Sequence, residues 1–235
     1  MKRLTYLSLL FLLLQACSSS SSDNNTNSND NNSNSAVTDI EGNTYQTVTI
    51  CDQTWTKSNL NVSHYRNGDL IPQVTNTAEW NNLTTGAWCY YRNNNANGAI
   101  YGKLYNWYAV NDTRGLAPEG WHIPSRVEWT SIINCLGGGN PGGAGGKMKE
   151  AGYDHWVFPN AGATNSSGFT ALPGDLRTDL GFANNGDGTS GNWWSSSQYN
   201  TIDSFKFDLG TEEDYATVSS YYPKIWGCSV RCIKN

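Results

Sequence analysis

Apolar and polar positions fall into three textures along this chain. Leu4–Leu14 is a nearly unbroken apolar run, with Thr5 and Ser8 as mild breaks. Ser18–Ser35 contains only Ser, Asn, Asp and Thr, so it has nothing to bury and nothing to offset the entropy of folding. From Ala36 onward short apolar periods return, and one globular domain over residues 36–235 is the expectation. The clearest helical period is Arg126–Leu136, where Trp129, Ile132, Ile133 and Leu136 follow i, i+3, i+4, i+7 spacing. Ser125 and Glu128 form an S-x-x-E capping box at its start, and Gly137 stops it. A second helix is predicted over Ala99–Val110, from Ile100, Leu104 and Trp107 at helical spacing.

Strand signals occupy much of the rest. Tyr45, Thr47, Val48 and Ile50 suit a first strand over Asn43–Cys51, and Ala87–Tyr91 reads as a short buried strand. The Asn-rich run Asn93–Gly98 reads as a loop. In the last third, Gly168–Leu172, Trp193–Ser197, Ser204–Leu209, Tyr215–Ser219 and Gly227–Ile233 are predicted strands. Phe205, Phe207 and Leu209 alternate with Lys206 and Asp208, the pattern of a half-buried strand.

The two ends of the leader change the picture of location. Lys2 and Arg3 precede the apolar run, whose roughly 11 residues at ~1.5 Å each cannot cross a ~30 Å hydrocarbon layer. It therefore reads as a signal-peptide core over residues 1–16. Its end, Leu14-Gln15-Ala16-Cys17, resembles the bacterial lipobox, which makes Cys17 the expected lipid attachment site and residues 17–35 a lipidated cysteine and tether. As a coil that tether would hold its ends roughly 20–25 Å apart. The chain carries 15 Lys+Arg against 20 Asp+Glu, and losing Lys2 and Arg3 with the leader makes the remainder more acidic still. An acidic domain without a basic run argues against nucleic acid as a partner.

Five cysteines remain in the domain: Cys51, Cys89, Cys135, Cys228 and Cys232. In an exported chain all five are disulfide candidates, and the odd number leaves at least one over. Cys228 and Cys232 sit on one face of the last predicted strand, ~13 Å apart, too far to bond each other. The glycine-dense stretch Gly137–Lys147 does not make a phosphate loop, because Pro141 and Met148 stand where glycine and Ser/Thr are needed, and no nucleotide is expected.

Several ordered blocks resemble one family. They are Tyr101–Val110, Gly115–Ser125 with Glu128-Trp129, Ala144–Lys149, Ala163–Gly174, Trp193–Ser196 and Ser229–Cys232. Together they look like the Fibrobacter succinogenes major paralogous domain of Bacteroidota-type lipoproteins, over roughly Asp39–Asn235. Members are mostly of unknown function. The Trp121-x-Ile-Pro-Ser-x-x-Glu-Trp129 segment is also similar to one in the formylglycine-generating, sulfatase-modifying enzymes. That likeness implies an α+β, C-type-lectin-like domain with two main helices, short antiparallel strands and long irregular loops. Those enzymes use a copper-binding cysteine pair. Cys228-x-x-x-Cys232 departs from its spacing, which favours a disulfide partner for at least one of the two. An outer-membrane lipoprotein is implied, with the cell-surface side slightly favoured over the periplasmic one; only Asp23, behind five serines, is acidic near Cys17.

Candidate chemistry is sparse. His64, His122 and His155 have no zinc-like spacing, no G-x-S-x-G elbow is present, and an EF-hand counted from Asn184 meets Ser195 where Glu is required. The reading is accordingly no catalytic residue, no metal and no cofactor. Ten Trp and thirteen Tyr are the larger signal, because such rings stack on sugars and anchor interfaces. Most Trp are assigned to core, including Trp107, Trp121 and Trp129. Tyr199, Tyr215, Tyr221, Tyr222 and Trp226 lie in or beside turn-rich stretches and are the candidate ligand-binding residues. The expected role is non-enzymatic binding of a glycan or protein through loops. A divergent sulfatase-modifying-type oxidase and a structural envelope protein are the alternatives.

Overall fold

Three antiparallel sheets carry the domain, most of their strands too short to stand alone. The computed structural model describes residues 35–138, 143–182 and 187–235. The leader, Cys17 and tether residues 18–34 lie outside the described residues. The first sheet joins β1 (Ala36–Thr38), β2 (Thr44–Ile50), β3 (Gln53–Thr56), β13 (Ile233–Lys234) and β6 (Trp121–His122), in that spatial order. The second runs β4 (Trp88–Cys89), β5 (Leu104–Asn106), β12 (Gly227–Cys228), β7 (Arg177–Thr178) and β8 (Gly181–Phe182). The third has the long strands, β11 (Thr217–Pro223), β10 (Asp203–Gly210) and β9 (Ser190–Gln198), with β10 central. The result is mostly β with few helices.

The capped helix forms over Arg126–Cys135. Ser125 Oγ accepts from the Glu128 N–H at 3.3 Å, and Glu128 Oε2 accepts from the Ser125 N–H at 2.7 Å. Trp129, Ile132 and Ile133 are its buried residues, and Trp129 stacks on Phe207 of β10 with centroids 4.3 Å apart and planes 3° from parallel. Adjacent residues on a strand point to opposite faces, and β9 uses this at Trp193-Trp194. Trp193 enters the core built with Trp55, Trp129 and Phe207; Trp194 enters the one built with Tyr105, Trp107 and Trp121.

Four local expectations are corrected. Ala99–Val110 is not one helix. A helix spans Asn95–Tyr101, starting inside the Asn93–Gly98 run that reads as loop, and ends because Gly102 takes φ 71°, ψ −154°, open only to glycine. The chain then enters β5, and Asn106 caps a single turn over Trp107–Val110. The described residues thus hold one long helix in place of two. Gly168–Leu172 is no strand: Thr170 sits at φ 54°, and only Ala171 makes a bridge, to Lys149. Gly227–Ile233 splits into β12 and β13, which serve different sheets. The alternation around Phe205 also fails. A register shift between Ser204 and Lys206 leaves Phe205 half-buried against Tyr199 and beneath the Arg126 guanidinium, while Lys206 is buried.

Candidate functional site

A cleft of about 320 Å³ opens on the face of the third sheet that lies away from the Arg126–Cys135 helix. Its floor is set by strand period. Phe207 and Leu209 face the core, so Lys206 and Asp208 face the other way. Asp208 pairs across the sheet with Asn192 on β9 and Thr217 on β11, giving a rung of amide, carboxylate and hydroxyl. Lys206 is 4% exposed; its ammonium donates to Asp208 Oδ1 at 2.7 Å and lies 4.1 Å from the centre of the Tyr222 ring. Asp208 is otherwise filled by the hydroxyls of Ser219, at 3.0 Å, and Thr217.

The walls come from two loops. One supplies Asp175, which is 1% exposed and sits at φ 51°. Its Oδ1 accepts from the Ser190 hydroxyl at 3.1 Å, and its Oδ2 is buried with no hydrogen-bond partner. Burial pushes the Asp175 carboxyl up, against the lowering pull of the Ser190 hydroxyl. The other loop supplies Gly210, Glu213 and Tyr215. It is held from beneath by Lys149, fully buried, whose ammonium donates to the carbonyls of Gly210 at 2.9 Å and Glu213 at 2.7 Å. Burial draws that ammonium down to about 8, opposed by the charges of Glu213 and Asp214. The Gly145-Gly146 pair belongs to the same support: a Cβ at Gly145 would overlap the Tyr215 carbonyl. Within the stretch that superficially suggests a phosphate loop, Gly145 and Gly146 are thus needed for close packing.

Of the five candidate aromatics, Tyr215 and Tyr222 line this cleft. Trp226 packs behind Tyr222 at 5.6 Å and is half-buried. Tyr199 and Tyr221 form a separate pair, hydroxyls 2.5 Å and rings 4.4 Å apart, with Tyr221 66% exposed. A second cavity of about 310 Å³ lies between Ile40, Val62, His64, Arg66, Leu116 and Glu119. Its two basic residues are paired locally, His64 with Glu41 at 2.6 Å and Arg66 with Glu119 at 3.6 Å. Among the described residues no group of three or more His, Cys, Asp or Glu is placed to hold a metal ion, and no helix is long and apolar enough to cross a membrane.

Compared with known families, residues 48–234 match the Fibrobacter succinogenes major domain. The chain belongs to this family. No curated protein and no solved structure gives a significant match. In this major domain the family blocks are chiefly framework. His122 bridges Glu128 Oε1 at 2.8 Å and Asn235 Oδ1 at 2.6 Å, tying the helix start to the chain end. Trp193–Ser196 forms the middle of β9, and Ser229–Cys232 is buried throughout.

The cysteines of the major domain depart from expectation. Cys51, on the β2–β3 turn, is bonded to Cys135 at the end of the long helix, with Cα atoms 6.7 Å apart. Cys89, Cys228 and Cys232 are buried free thiols. Neither Cys228 nor Cys232 takes a disulfide partner, because the strand expected to carry both breaks between them and each sulfur is enclosed by core. Burial pushes the Cys89 thiol up to about 11, that of Cys228 to about 12 and that of Cys232 higher still. A thiol is nucleophilic or metal-binding as thiolate. We expect all three to resist Ellman's reagent in the native protein and to react together in denaturant; peptide mapping that finds a native adduct on any of them would contradict the burial.

Proposed function

We propose that this protein is an exported envelope lipoprotein, acylated at Cys17 and held at the outer membrane, whose major domain binds a glycan without catalysing a reaction. The cleft over the third sheet carries the proposal. It sets two phenol rings, Tyr215 and Tyr222, beside a rung of amide, carboxylate and hydroxyl groups, the combination that recognises the apolar faces and hydroxyl edges of a sugar. A volume near 320 Å³ lies at the small end for ligand sites and suits one terminal sugar unit. A C-type-lectin-like arrangement is the finer fold reading that accompanies this, with one main helix on short antiparallel strands and a site walled by loops. The enclosure of Cys228 and Cys232 speaks against the copper-oxidase alternative.

The binding half is tested on a glycan array followed by titration calorimetry. Tyr222→Ala is expected to weaken binding by at least about tenfold, from the lost ring contact. Tyr221→Ala, outside the cleft, leaves it within twofold or so. Equal losses in both variants, or an array without signal, would refute a glycan site here. The anchoring half is tested by mass spectrometry of the native N-terminal peptide, which must begin at Cys17 and carry acyl mass.

A further inference from the structure

The charges of the cleft do not cancel. Lys206 and Asp208 satisfy each other, and the ammonium of Lys149, although its charge is felt at Glu213, donates its hydrogens to two carbonyls below the floor and pairs directly with no carboxylate of the cleft. Arg92, whose charge acts on Asp175, is paired with Asp187 at 2.7 Å. Two carboxylates remain. Asp175 Oδ2 is buried with no donor, a costly state for a carboxylate oxygen. Glu213 folds its carboxylate over Gly210 and makes no ion pair among the described residues. Tyr215 and Tyr222 line the same cleft, and the Tyr222 ring already holds the Lys206 ammonium 4.1 Å from its centre.

Resting on the glycan reading of this same cleft, we infer that the sugar it holds is an amino sugar with a free, protonated amine, received by Asp175 and Glu213. A neutral hydroxyl could donate to Asp175 Oδ2 but would give neither carboxylate a direct ion-pair partner. An ammonium supplies the missing donor and the missing charge together. N-acetylation removes that charge and adds bulk that a cleft of this size must also admit.

The test is calorimetric titration of the full-length protein at about pH 6, where an amine of this type is protonated. The ligands are the glucosamine disaccharide, its N-acetylated counterpart, cellobiose and L-lysine amide. The glucosamine disaccharide is expected to bind at least about tenfold more tightly than the other three. Asp175→Asn, isosteric and tolerant of the left-handed backbone, should bring it within about threefold of cellobiose. Glu213→Gln, on the more exposed wall, should narrow the gap without touching the buried floor. Equal affinity for the three saccharides, or a preference untouched in both variants, overturns the amine inference and leaves the glycan reading standing. Lysine amide binding as tightly as the disaccharide overturns the sugar identity. No saccharide binding at all overturns both.

Discussion

Arg231→Ala is expected to lose about 3–5 kcal/mol of stability, the largest effect of any single substitution proposed for this domain, because several buried acceptors lose a donor at once. The guanidinium is 1% exposed and fixes four acceptors. Nε donates to Asn59 Oδ1 at 2.6 Å, Nη1 to the carbonyls of Thr56 and Phe169 at 2.7 and 3.0 Å, and Nη2 to the Thr170 carbonyl at 2.9 Å. Its plane also lies 4.4 Å from the Phe169 ring centre. Three of those acceptors are main-chain groups at irregular points, the end of β3 and the bend at Thr170. Removing the donor strands them where water does not reach, at about 1–3 kcal/mol each if unrelieved. Lysine brings three donors from a single point and cannot copy the fork, so Arg231→Lys should recover only part of the loss. Thermal unfolding monitored by tryptophan fluorescence provides the measurement. A midpoint for Arg231→Ala within about 3 °C of the parent, less than ~1–2 kcal/mol at this size, would show that those carbonyls find other donors.

Opening the Cys51–Cys135 bridge comes next in size. The bond spans 84 residues, and the entropy such a loop regains in the unfolded chain corresponds to roughly 4 kcal/mol. Both residues are exposed, so Cys51→Ala/Cys135→Ala removes the cross-link without excavating the core. The double variant should unfold at a midpoint roughly 8–16 °C lower, at ~2–4 °C per kcal/mol. Cys51 holds φ 55° on the two-residue turn between β2 and β3, a conformation that glycine enters at no steric cost. Substituting Gly for Ala at 51 in the same background should therefore return about 1 kcal/mol. Identical midpoints for the parent in oxidising and reducing buffer, with the bond verified as cut, would contradict the assignment.

The parts of the fold that were legible are those where one period runs without a backbone exception. Arg126–Cys135 has a cap, a stripe and a stop, and folds accordingly. Trp193–Ser197 lies within β9 and Ser204–Leu209 within β10. Misreadings cluster at residues whose dihedrals override their side-chain pattern. Gly102 ends a helix where Leu104 and Trp107 keep the helical spacing, and Thr170 at φ 54° breaks a run that otherwise looks extended. Phe205 and Lys206 exchange burial because a bulge is a tertiary adjustment with no signature in alternation.

The site was half legible for a related reason. Tyr215 and Tyr222 stand out by residue type and turn-rich surroundings, and both line the cleft. Lys206 reads as a solvated charge and is instead covered by Tyr222. Asp175 and Glu213 sit in separate loops, and nothing local to either announces a shared wall. The one hint for Asp175 is its place directly after the Ala-Leu-Pro-Gly block ending at Gly174.

Trp193 and Trp194 have a consequence for how the molecule comes apart. Each indole is lodged in a different core, and each is pinned by its N–H, to Asn59 Oδ1 at 2.7 Å and to the Tyr105 carbonyl at 2.7 Å. Two neighbouring peptide units on one ribbon thus rivet both halves of the interior. Melting one half would pull on a strand anchored in the other, so denaturation is expected to proceed as one all-or-none event despite the shortness of most strands.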